Sequence, residues 1–232
     1  MADKGIIFSA PMVLALLDGR KTQTRRLIKM YGRRPEYCGP SGCKDDPTCW
    51  GWEDGDHGGW VTLEKEPGDR MGWRDWVGAP HVSDRLYVRE AYMPRPGLPA
   101  RLARPHYRAD NDRPEWRRLW KPSIHMPRWA SRLWLEVTEV RVQRVQDISE
   151  EDARAEGLVE YSLEGPGGMT IPCWHWLSGM DDDELYTSAV SAFRALWNSL
   201  HTKPGETWAD NPWVVAVSFD VHQGNIDAEQ AA

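Results

Sequence analysis

The segment from Arg132 to Val145 constrains the fold most. Its apolar side chains fall at 133, 135 and 137 and then at 140 and 142. Alternation with period two is the signature of a strand with one buried face, and a single change of phase near Thr138-Glu139 predicts a bulge or bend within it. A strand of that length with one built-in bend suits a curved sheet, the kind that wraps into a barrel. Strands are also predicted over Gly5–Phe8, Asp84–Glu90 and Trp213–Phe219. Short helices are predicted between them. Ser9 is placed to cap one that carries Pro11 in its first turn and stops at Gly19. Ser149-Glu150-Glu151-Asp152 opens a second that ends at Gly157, with Glu156 at its C-terminal end. Asp182–Leu200 is read as the longest helix, its acids gathered at its start. The whole reads as α+β with a mostly antiparallel sheet.

Between these elements, about 31–80, 93–128 and 159–180 are rich in Gly, Pro and Trp and lack clean periodicity, so they read as large loop insertions in one domain over 1–222. A frayed tail over 223–232 is expected. No stretch approaches the roughly 18 apolar residues of a membrane span, and the first residues lack a leader's apolar core. A soluble, cytoplasmic protein with no membrane partner is expected.

The net charge of −6 disfavours a general nucleic-acid coat, but the charge is uneven. Residues 1–34 hold eight Lys/Arg against two acids and 101–144 hold eleven against five, while 147–232 hold three against sixteen. If the first two segments meet, they make a basic face. Four cysteines in 232 residues are no disulfide scaffold. Cys38, Cys43 and Cys49, with His57 nearby in sequence, offer a structural zinc site at an unusual spacing, or are free thiols in a loop.

The run Gly19-Arg20-Lys21-Thr22-Gln23-Thr24-Arg25-Arg26 resembles the G-x-K-T-x-T-x-R signature of ASCH domains. Asp84–Val88 is similar to that family's GD-x-L-x-V strand, with Ser83 where glycine is usual, so the preceding turn is expected to differ. Trp213–Phe219 resembles its closing strand. The arrangement also resembles larger phage and prophage ASCH-like proteins. The resemblance implies a PUA-like β-barrel with short flanking helices, and it covers about half the chain. A small bacterial member of the family hydrolyses N4-acetylcytidine with a Lys–Thr–Glu triad, which maps onto Lys21, Thr24 and Glu156 here.

That mapping is chemically coherent. A threonine hydroxyl needs a base beside it, and lysine serves when burial or a second cation, for which Arg20, Arg25 and Arg26 are candidates, lowers its pKa. Glu156 could orient Lys21, take the proton, or deliver water, and these stay open. The loop after Gly19 could supply donors to an oxyanion, and no cofactor is required. An aromatic wall among the fourteen tryptophans would suit the base. Arg20 and Arg26, with His125 and Arg128 from a stretch that resembles one in the phage-type relatives, are expected to bind substrate. Arg117 and Arg118 beside Trp116 and Trp120 have a texture suited to nucleic acid, or are solvated charges around core tryptophans. Small nucleosides are thus the expected substrate, with RNA as another partner. The competing readings are a non-catalytic RNA-binding module and a phage accessory protein. A basic turn after a helix is ordinarily only a solvated surface.

Overall fold

The computed structural model describes residues 3–29, 32–40, 42–54, 59–63, 78–95, 104–111, 113–116, 118–176 and 185–228. In chain order its elements are β1 (Asp3–Ile7), α1 (Ala10–Leu17), β2 (Gln23–Leu27), β3 (Glu36–Tyr37), β4 (Trp50–Asp54), β5 (Gly59–Thr62), β6 (Arg85–Arg89), β7 (Tyr92–Met93) and β8 (His106–Tyr107). They continue with β9 (Leu133–Arg144), α2 (Glu150–Ala155), β10 (Val159–Glu164), β11 (Thr170–His175), α3 (Ala189–Leu200) and β12 (Trp213–Gln223). The fold is α+β.

A five-stranded sheet in the order β1-β6-β9-β12-β2 organises the rest. Only the β1–β6 pair in it is parallel. β12 is buried on both faces. Trp213, Val215, Val217 and Phe219 enter one core with Phe8, Leu16, Leu86 and Leu135. Val214 turns to a second core with Phe193 and Trp197 of α3 and Ala153 of α2. This explains why β12 reads as a continuous apolar run while β9 alternates.

The predicted bend in β9 is a bulge: Ser218 pairs with Glu139 but Phe219 with Val137, leaving Thr138 as the extra residue. Ser83, before β6, takes a left-handed φ of 70°, the conformation in which glycine is at ease.

Four expectations are corrected. The main sheet is open among the described residues, with β1 and β2 as its edges, so it is not a closed barrel. The stretches read as loops carry small sheets of their own, β3-β4-β5, β7-β8 and β10-β11, built from strands too short to show periodicity. The long helix starts at Ala189, with Leu185 ahead of it. Residues 182–184 lie outside the described residues, and the first turn holds no acid. The carboxylate of Glu150 instead accepts from the N–H groups of Ala189 and Val190, at 2.8 and 3.4 Å, supplying the negative charge a helix N-terminus favours. Through Ala228 the tail is docked rather than frayed, because Ile226 is fully buried and the Asn225 amide donates to the carbonyls of Arg128, Trp129 and Ser131.

Candidate functional site

Lys21 is set where the end of α1 meets the end of α2. α1 closes on Gly19 at φ 71°, and the backbone N–H groups of Arg20 and Lys21 both donate to the Ala15 carbonyl, at 2.9 and 3.0 Å. α2 starts on Ser149, whose hydroxyl accepts from the Asp152 N–H at 3.0 Å, and Glu156 is its C-cap. An isolated antiparallel bridge sets Lys21 opposite Glu156. Gly157 is required here. It sits at φ 97°, and a Cβ on it would lie 2.9 Å from the Ala15 Cβ and 3.0 Å from the Lys21 Cβ.

From this junction a buried network spreads. The Lys21 ammonium donates to the Glu156 carbonyl at 2.8 Å and to its Oε2 at 2.9 Å. The other carboxylate oxygen, Oε1, accepts from Arg25 Nη1 at 3.0 Å. Arg25 also donates to Gln23 Oε1 at 2.5 Å and, through Nη2, to Asp152 Oδ2 at 2.9 Å. Asp152 accepts further from Gln23 and Arg141. Lys21 is 1% exposed and Arg25 and Glu156 4% each, so these charges interact at low dielectric. Burial pushes the Lys21 ammonium below its ordinary pKa; Glu156 opposes this, and Arg26 and Arg25 add to it. Burial pushes the Asp152 carboxyl up, but the bonds from Arg141 and Gln23 and the charge of Arg25 outweigh it, and its pKa falls below the usual value.

Because side chains alternate along a strand, Thr24 and Arg26 leave β2 on the face away from Arg25. They line a cavity of about 200 Å³ that lies between the two sheet edges, β1 and β2. Ile6, Ile28, Leu86, Val215 and Val217 give it apolar walls, and Lys4, Thr24 and Arg26 its polar groups. Thr24 is buried while Arg26 is exposed and donates to the Ile7 carbonyl at 2.8 Å. Phe8 links the two sides: its ring centroid is 5.6 Å from Lys21 Nζ and 5.3 Å from Arg26 Cζ. Lys21 and Glu156 are thus in direct contact, and Thr24 stands three residues along in the cavity wall. The hydrogen bonds of the Lys21 ammonium go to Glu156 rather than to Thr24.

Other expected residues sit elsewhere. Arg20 clamps the turn by donating to the Gly157 carbonyl at 2.7 Å and to Asp18 at 2.8 Å. His125 is exposed, and Arg128 is engaged by Asp3 and Asp227, because residues 123–130 form two short turns docked on β6 through Arg89. Neither lines the cavity, nor does any aromatic residue among those described. The described residues contain no cluster of three or more metal-ligating side chains, and Cys38, Cys43 and Cys49 are free. Burial raises the Cys38 and Cys49 thiol pKa values. His57 and Arg117 lie outside the described residues. Trp116 and Trp120 pack edge to face at 6.0 Å.

The two basic segments do meet, at a second cleft of about 440 Å³ lined by Arg33, Arg34, Arg144, Tyr37 and Trp50 together with the acids Glu36 and Asp210. The Arg144 guanidinium lies over Trp50 and Trp213, at 4.4 and 4.2 Å, and donates to the carbonyls of Asn211 and Lys44.

The parts that sequence reasoning missed are Gln23 and Asp152. Their signal is spacing. Gln23 and Arg25 share a strand face, and Asp152 precedes Glu156 by one helical turn, but which strand face meets which helix turn is a matter of packing. Comparison of the chain with protein-family models, with curated proteins and with solved structures found no match in any of the three.

Proposed function

We propose that this chain is an ASCH-like, PUA-like protein that acts as an amidohydrolase on N4-acylcytidines, releasing cytidine and a carboxylic acid. The observation that carries the reading is the buried Lys21–Glu156 pair, with Lys21 three residues before Thr24, which β2 delivers to the wall of a cavity. The signature-like run over residues 19–26 supports it from the sequence side.

The chemistry follows from that arrangement. With its ammonium destabilised by burial, Lys21 in the neutral form takes the Thr24 hydroxyl proton as Oγ attacks the acyl carbonyl. The tetrahedral intermediate carries an oxyanion, for which the Arg26 guanidinium, on the same face of β2 as Thr24, is a cationic donor at the cavity. Collapse breaks the C–N bond, N4 recovers the proton from Lys21, and cytidine leaves. Water then hydrolyses the threonyl ester, freeing the acid and Thr24. Glu156, both of whose carboxylate oxygens are held by buried cations, orients Lys21. The small, largely apolar cavity suits an acylated base better than a whole nucleoside, which leaves the ribose outside.

The test is incubation of the purified protein with N4-acetylcytidine and a bulkier N4-acylcytidine, with chromatography for released cytidine. Release is expected, with Thr24→Ala inactive and Lys21→Ala slower by about a thousandfold. Activity that survives Thr24→Ala, Lys21→Ala and Glu156→Ala sinks the assigned roles.

A second reading, a non-catalytic RNA-binding module, has the Arg33/Arg34/Arg144 cleft with its aromatic wall as its supporting observation. RNA affinity that falls steeply with salt, with no turnover of either nucleoside, would select it. No helix among the described residues is long and apolar enough to cross a membrane. A cytoplasmic location belongs to this proposal.

A further inference from the structure

We propose that Arg25 and Asp152 are positioning residues for the site: Arg25 holds one oxygen of Glu156 and so leaves Lys21 only the other, while Asp152 sets how firmly Arg25 holds. The inference rests on the reading of Lys21 as the base, but its geometry stands independently of any substrate.

The division is visible atom by atom. Lys21 Nζ is 2.9 Å from Glu156 Oε2, and Arg25 Nη1 is 3.0 Å from Oε1. A carboxylate devoted to Lys21 alone would stabilise the ammonium and keep its proton in place. Shared with a second cation, it stabilises the ammonium less, and the second cation itself repels it. The Arg25 side chain is 0% exposed, so solvent does not screen this effect. Arg25 does not belong to Glu156 alone, because its Nη2 donates to Asp152 at 2.9 Å. Asp152 leads outward in turn. It accepts from Arg141, which is 36% exposed and pairs with Glu139.

Among the described residues, the groups that face Lys21 are few. Glu156 comes from the end of α2, Arg25 and Arg26 from β2, and the Phe8 ring lies 5.6 Å away from the ammonium. Arg20 lies in the adjoining turn, held by Gly157 and Asp18. Of these, only Arg25 takes the second oxygen of Glu156. Arg26 is exposed and bonds the Ile7 carbonyl, so it adds charge without competing for the carboxylate. Arg25 also stands at a variable place of the signature-like run, so nothing in that motif marks it.

The consequence is a pair of opposite effects. Removing Arg25 takes away a repelling cation and returns Glu156 to Lys21, which then keeps its proton to higher pH. Removing the Asp152 charge takes away a nearby anion and leaves Glu156 as the carboxylate that Arg25 holds, and Lys21 then loses its proton at lower pH.

The experiment follows the Lys21 side chain by NMR through a pH titration in the wild type, Arg25→Gln, Arg25→Lys and Asp152→Asn. It runs pH–rate profiles for N4-acetylcytidine alongside, with thermal melts as the check on folding. Arg25→Gln is expected to move the Lys21 midpoint and the rising limb of the rate profile up by about one pH unit, and Asp152→Asn to move both down. Arg25→Lys, which keeps the charge, stays near the wild type. Should Arg25→Gln fail to fold, Asp152→Asn, whose carboxylate is partly exposed, carries the test with Arg25→Lys. A Lys21 midpoint that stays put or rises in Asp152→Asn overturns the inference. Opposite midpoint shifts in a protein that turns over no acylcytidine would uphold the positioning roles while removing the hydrolase reading. Turnover with unshifted midpoints would do the reverse.

Discussion

Two ionic clusters in this molecule are built from the same residue types and behave differently. At the β2–α2 junction, Lys21 and Arg25 share Glu156, and Asp152 backs Arg25. On the β1 edge, Arg85 and Arg128 share Asp3, and Asp227 backs Arg128. The topology of charge is a mirror: two cations on one anion in each case, with a second anion behind one of the cations. What separates them is water. The Lys21 and Glu156 side chains are 2% and 5% exposed, whereas Arg128 and Asp227 are 34% and 51% exposed. In the first cluster desolvation lowers the Lys21 pKa against the pull of Glu156. In the second the hydrogen bond from Arg85 is the largest influence on Asp3, ahead of burial and of Arg128, and its carboxyl pKa falls. One arrangement holds a lysine whose ammonium is destabilised by burial, and the other anchors the C-terminal tail.

The comparison breaks most visibly if a shared anion is deleted from the buried cluster. Glu156→Ala leaves two buried cations without their partner and is expected to cost about 3–5 kcal/mol in urea unfolding. A loss below about 1 kcal/mol would mean that water reaches this junction and that the contrast with the β1 edge is false. Gly157→Ala probes the same junction without touching charge. A left-handed φ together with a Cβ closer than 3 Å to the Ala15 Cβ is expected to cost about 1–3 kcal/mol, and to disturb Lys21 as well. Unchanged stability would show that the turn can relax away from Lys21. At the other edge Arg128→Ala is expected to cost under about 1 kcal/mol in the same assay, since its pairs are largely solvated. Its effect should appear as faster amide exchange in residues 225–228, and a cost as large as that of Glu156→Ala would erase the distinction between buried cluster and anchor.

Much of the site was legible because its signals are local. Ser149 three residues before Asp152, Gly157 after Glu156, and Gly19 before Lys21 are caps and stops whose physics needs only neighbouring residues, and each is found where its spacing put it. The bulge at Thr138 was equally legible, since a phase change in the alternation is itself the bulge. Arg25 was visible only as one candidate cation among three, because a run of basic residues after a helix reads as solvated surface; in the fold Gln23, Thr24 and Arg25 are all buried. Ile226 reads as a stray apolar residue in a polar tail, and it is buried only because Asn225 ties that tail to the carbonyls after Pro127. His125 and Arg128 lie away from the cavity because their segment docks on β6, a choice made by Arg89 from a distant part of the chain.

The sequence by itself determined the strands' faces, the helix ends and the placing of Lys21 and Glu156 at those ends, since period, capping and glycine conformation act over a few residues. Only the tertiary structure decided that the ends of α1 and α2 meet, that β2 turns Arg25 toward Asp152 and Thr24 toward a cavity, and that β1 and β2 stay apart to leave that cavity open. Those outcomes depend on register and burial, which are properties of segments more than a hundred residues apart in the chain and are settled by which apolar faces can be covered together.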